Sequence, residues 1–132
     1  MTLGEIEQKI KQLLGPLNVE VVLGEQAVDD LKGYRKEINT ILALIVAQAR
    51  KGPLIKPNGY GELLLGKLFG FAKIKPRAMS LRIVYRPVQL PSDVIRMEII
   101  AIGPKDKEKV YELATRRVAE FQKEMEMRFS SK

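Results

Sequence analysis

Several basic residues and one tyrosine recur at spacings suited to handling a phosphodiester. Lys73, Lys75 and Arg77 alternate through the run KIKPR, and Arg82 and Arg86 flank the apolar centre of LRIVYR. Side chains alternate along a strand, so Lys73, Lys75 and Arg77 share one face, and Arg82 and Arg86 lie opposite Leu81, Ile83 and Tyr85. A surface of this kind neutralises phosphates, with arginine adding a bidentate fork. The run GPKDKEKVY then puts Lys105, Lys107 and Lys109 around a helix start, where backbone amides already favour an anion. Tyr111 follows at the edge of that helix's apolar stripe. The plain alternatives are a solvated strand face and a half-buried tyrosine anchoring helix to sheet.

What is missing narrows the chemistry. The chain has no cysteine and no histidine. Disulfides, thiol catalysis, thiolate or imidazole metal sites, Ser-His triads and histidine-based ribonuclease chemistry are therefore excluded. The nearest acidic pair, Asp29-Asp30, reads as an exposed helix segment, and no DxD cluster offers a carboxylate metal site. Neither metal nor organic cofactor is expected. The net charge of +7 attracts polyanions: nucleic acid, anionic lipid or an acidic protein.

These residues need a scaffold. A chain of 132 residues, 45% hydrophobic and 30% charged, suits one globular domain. No apolar run reaches the roughly 18 residues of a membrane span, and MTLGEIEQKIKQLLGPL lacks the basic start and apolar block of a signal peptide, so a cytoplasmic protein without membrane contact is expected. Helical spacing of Leu3, Ile6, Ile10 and Leu13 predicts a helix over 3–14, closed by Gly15-Pro16. NVEVVL at 18–23 reads as a strand. Residues 25–50 read as a helical hairpin with a corner at Gly33, and 51–61, with two prolines and three glycines, as a loop. Strands are expected over 67–75, 80–88 and 93–102. A final helix over 106–129 has Asp106 as N-cap and Val110, Leu113, Ala114, Val118, Phe121 and Met125 on its buried stripe. The class is α+β: an antiparallel meander with the helical hairpin and the C-terminal helix on one face. The other face then stays open and carries Lys73, Lys75, Arg82 and Arg86.

The run KIKPRAMSLRIVY (73–85), followed by IIAIGPKDKEKVYELATRRV (99–118), resembles the RelE family of toxin–antitoxin ribonucleases. In that family a K-x-K strand leads through a short turn to an arginine in an R-[LIV]-V-Y strand. A third apolar strand ends in glycine and a basic turn, and a V-Y pair opens the last helix. The resemblance covers about 18–120 and is specific over about 66–118, dividing the chain into an N-terminal helical extension, 1–17, and a RelE-like toxin domain, 18–132. It implies an endoribonuclease that cleaves mRNA in the ribosomal decoding site by metal-independent attack of the 2′-hydroxyl, and a cognate antitoxin that neutralises it.

Carried over, Lys73 and Lys75 orient RNA and assist deprotonation, Arg82 holds the scissile phosphate, Lys105 assists the leaving oxygen, and Tyr111 acts as base or stacking platform. Arg77, Arg86, Lys107 and Lys109 are further RNA-binding positions. Three features depart from the pattern: Lys105 stands where arginine is usual, Pro76 follows Lys75, and the helix over 3–14 is an addition. A ParE-like gyrase poison, a non-catalytic nucleic-acid binder and a degenerate toxin are the rival readings.

Overall fold

A computed structural model describes residues 3–77 and 79–130, with the backbone alone for Leu3 and Lys107. Its elements are α1 (Leu3–Leu14), β1 (Val19–Leu23), α2 (Glu25–Lys32), α3 (Ile38–Lys51), β2 (Glu62–Leu63), β3 (Ala72–Ile74), β4 (Leu81–Gln89), β5 (Ile95–Pro104) and α4 (Lys109–Phe129), with short 3-10 turns before α3, β3 and α4. The fold is α+β, with five strands in the order β1-β5-β4-β3-β2. Strands β2 to β5 pair antiparallel, whereas β1 joins β5 in parallel. No helix among the described residues is long and apolar enough to cross a membrane.

Two apolar clusters occupy the two faces of the sheet. Leu81, Ile83 and Tyr85 of β4, Ala72 and Ile74 of β3 and Val21 and Leu23 of β1 pack with α1, α2 and α3. Val22, Val84, Ile100 and Ala101 pack instead with Val110, Ala114, Phe121 and Met125 of α4. The C-terminal helix therefore lies across the sheet from the N-terminal helices, not beside them. The face carrying Arg82 and Arg86 is covered by α4 along much of its length, and only its ends are open.

The reason lies in β5. Val84 pairs with Ala101 and Tyr85 with Ile99, so Ile100 is an extra residue, a β-bulge. The bulge resets the two-residue alternation and turns both Ile100 and Ala101 towards α4, while Ile99 and Ile102 face the opposite core. Beyond Leu23 no strand continues along the edge of β5. There α2 takes over: Asp30 accepts the Ile102 amide at 2.9 Å, and Arg117 of α4 donates to the Ile100 carbonyl at 3.0 Å. An otherwise unpaired edge is thus satisfied by side chains.

Two local expectations are corrected. The strand expected from residue 67 begins only at Ala72, because a 3-10 turn occupies Gly66–Leu68. Asp106 is not the cap of the last helix: it opens a 3-10 turn, and α4 is entered through Glu108 at a φ of 56°.

Candidate functional site

Four of the sequence-predicted residues converge where α4 meets the ends of β3 and β4. Lys73 pairs with Val84 across the ladder, and Val84 faces α4, so Lys73 emerges beneath the start of the helix. Its Nζ lies 5.8 Å from the centre of the Tyr111 ring, a cation–π arrangement. Two residues back along β4 from Val84, Arg82 pairs with Gly103. Gly103 has no side chain, and a Cβ there would lie 3.4 Å from Val110. That is an ordinary contact distance: the first turn of α4 packs directly on the sheet here, with Tyr111 within hydrogen-bonding reach of Arg82.

The Tyr111 hydroxyl reports these neighbours. Burial is the strongest influence on it and pushes its pKa up. Arg82, through its charge and as a hydrogen-bond donor, opposes that shift; Glu108 adds to it, and Lys75 opposes it more weakly. The balance lies above the ordinary tyrosine value, so the group is a neutral phenol at physiological pH. Arg82 also donates to the Leu81 carbonyl at 3.0 Å, which fixes its guanidinium. Neither Arg82 nor Lys73 has a carboxylate partner among the described residues. Lys75 does: its Nζ lies 3.0 Å from Glu62 on β2.

The other candidates separate. The Lys105 amide donates to the Ser80 carbonyl at 3.3 Å, placing this residue beside the start of β4, at the Arg82 end of the sheet. The side chains of Lys105, Lys109 and Arg77 are solvent-exposed and without ion pairs among the described residues. They rim the cluster without entering it. The Lys107 side chain lies outside the described residues. Arg86 does not join the patch: its Nε and Nη2 bond Oε1 of the buried Glu98 at 2.8 and 2.7 Å, and its guanidinium stacks near Phe71 and Phe121.

Sequence reasoning passed over the carboxylates. Asp30, read as an exposed helix residue, forms a bidentate pair with Arg117 at 2.7 and 2.9 Å. Glu98 is fully buried and also receives Arg96 Nε at 2.9 Å. Two charges of opposite sign, Arg96 and Glu98, inside the otherwise apolar strand IRMEIIAI were the available signal, since charges in such a setting must find partners. Glu62 carried no signal of its own.

No family model matches the chain, and no curated protein sequence is similar to it. Among solved structures, an arginine-to-alanine double mutant of E. coli toxin RelE in the free state is 22% identical, with a TM-score of 0.46, over 74% of this chain and 95% of that one. The same mutant in complex with a peptide of the antitoxin RelB is 22% identical, with a TM-score of 0.42, over 71% and 90% of the two chains.

Proposed function

We propose that the protein is a RelE-like toxin that cleaves mRNA through its own 2′-hydroxyl, without a metal. One observation carries this reading. Arg82, Lys73 and Lys75 gather around the Tyr111 phenol, and the first two lack carboxylate partners among the described residues. Partly buried cations without counter-charges favour a polyanion, and a fixed guanidinium beside a phenol suits the charge that develops as a phosphodiester is attacked.

In the proposed reaction the RNA 2′-oxygen bonds to the adjacent phosphorus as the bond to the 5′-oxygen breaks. A 2′,3′-cyclic phosphate and a 5′-hydroxyl result. Arg82 holds the non-bridging oxygens. Tyr111, kept neutral by burial, donates a hydrogen bond and orients the sugar; the 2′-hydroxyl proton passes to Lys75 in its neutral amine form, released from Glu62, with Lys73 beside it. Lys105 at the rim, as an ammonium, gives a proton to the departing 5′-oxygen, and Lys109 and Arg77 hold flanking phosphates. DNA, lacking the nucleophile, stays intact. The ribosomal decoding site is the proposed place of action, and an antitoxin of acidic or amphipathic character is the proposed partner for this cationic surface.

A non-catalytic RNA-binding module is the second reading, favoured by the Glu62 contact, which occupies Lys75. Purified protein incubated with a short RNA, free and on programmed ribosomes, separates the two. Cleavage leaving a cyclic phosphate, abolished by a single 2′-deoxy substitution at the cut, supports the nuclease. Tight binding with no cleavage in either setting supports the module.

A further inference from the structure

Lys73 and Lys75 also line a second groove, on the far side of the edge of β3, with a volume of about 270 Å³. Its other wall carries Lys51, Lys56 and Tyr60. We propose that this groove is an accessory subsite for single-stranded RNA: Tyr60 stacks a base next to the cleaved bond, and Lys51 and Lys56 bind the flanking phosphates. The proposal rests on the RNA-cleaving reading and extends it to the strand beyond the cut.

The loop that carries these residues is a fixed platform. Tyr60 donates its amide to the Gly52 carbonyl at 2.8 Å, Gly61 to Leu54 at 2.9 Å, and Lys56 to Gly61 at 3.1 Å. The buried Tyr85 hydroxyl donates to the Pro53 carbonyl at 2.7 Å and pins the loop to the sheet. Glycine is required at 59, where a Cβ would come within 2.4 Å of the Leu54 carbonyl oxygen. Yet Tyr60 as a residue remains 57% exposed, with Lys51 Nζ 5.7 Å from the centre of its ring. The ring contributes little to the core, and the backbone fixes where it stands. Four lysines and an accessible aromatic face are the recognition set for single strands, because every base has a face to stack and every linkage a charge to neutralise. Among the described residues Glu62 is the one carboxylate lining the groove, and it is already engaged by Lys75. Since Lys73 and Lys75 border both this groove and the Tyr111 cluster, one strand can run across the β3 edge and occupy both.

Fluorescence anisotropy with an uncleavable 2′-O-methyl RNA octamer and trimer tests this in the full chain. Tyr60→Ala is expected to weaken octamer binding about tenfold, and Tyr60→Phe to keep it. Lys51→Ala and Lys56→Ala should each lower the slope of log affinity against log salt by about 0.7. Trimer binding, confined to the Tyr111 cluster, should not change. Octamer affinity within twofold of wild type in Tyr60→Ala and in a variant combining Lys51→Ala with Lys56→Ala, with unchanged melting, overturns the subsite. A wild type that cuts no RNA but binds the octamer through Tyr60 keeps the subsite and removes the nuclease reading instead.

Discussion

The two ends of the surface beneath α4 treat their arginines in opposite ways. Towards the helix C-terminus each guanidinium has a carboxylate: Arg86 and Arg96 share the buried Glu98, and Arg128 bonds Glu7 and Glu124. Midway, Arg117 clasps Asp30. Towards the N-terminus, Arg82 and Lys73 have a tyrosine and a carbonyl for company, with Lys105 and Lys109 at the rim. A partly buried cation left without its counter-charge is costly to the fold, whereas a paired one is close to neutral. The paired end reads as structure, and the unpaired end as a place kept for a ligand of opposite sign.

The largest expected effect falls on the paired end. Glu98→Ala strands two partly buried guanidiniums and should cost about 3–5 kcal/mol. That corresponds to a melting midpoint lowered by roughly 10–20 °C in scanning calorimetry. A drop of only a degree or two would show that these arginines do not need their carboxylate, and the contrast between the ends would fail. At the unpaired end the expectation reverses. Arg82→Ala and Tyr111→Phe should each reduce RNA cleavage by about a hundredfold, with the melting midpoint of Tyr111→Phe within a few degrees of wild type. Loss of folding in step with activity would move Tyr111 into the structural class.

Asp30→Asn sharpens the contrast at the middle of the helix. The edge amide of Ile102 keeps an acceptor while Arg117 loses its charge partner, so a cost of about 1–2 kcal/mol is expected by chemical denaturation, with cleavage unchanged.

The smallest effect is in pH. Burial raises the pKa of Tyr85, Tyr111 and Tyr34. The unfolded chain therefore loses its phenolic protons first, and the stability linked to them is complete below about pH 10 and lost as pH climbs towards the native values. Alkaline titration followed by circular dichroism should show this loss, and it should be shallower in Tyr85→Phe. An unchanged slope in that variant would place the alkaline sensitivity elsewhere.

Much of this was legible in the sequence where a single period ruled. Ile38, Ile41, Leu42 and Ile45 announced α3, and Leu81, Ile83 and Tyr85 announced β4 with its arginines opposite. The convergence of Lys73, Lys75 and Arg82 with Tyr111 was implied only by the resemblance to the RelE family, since the alternation of residues alone set the last helix on the opposite face. The sidedness of α4 did not follow. Residues 97–102 of β5 are buried on both faces, so alternation carries no information there, and the bulge at Ile100 leaves no mark in residue type. The parallel pairing of β1 with β5 is equally silent, since it joins segments more than 70 residues apart. For the same reason the capture of Arg117 by Asp30, and of Arg128 by Glu7, could not be separated in advance from cations free to bind RNA.

The most direct test of the central claim is to map mRNA 5′ ends in cells after induced expression of the wild type and of Arg82→Ala. The account predicts new 5′-hydroxyl ends within coding regions for the wild type and about a hundredfold fewer for the variant at equal protein level. Identical end maps for the two, or intact mRNA during growth arrest by the wild type, would contradict it.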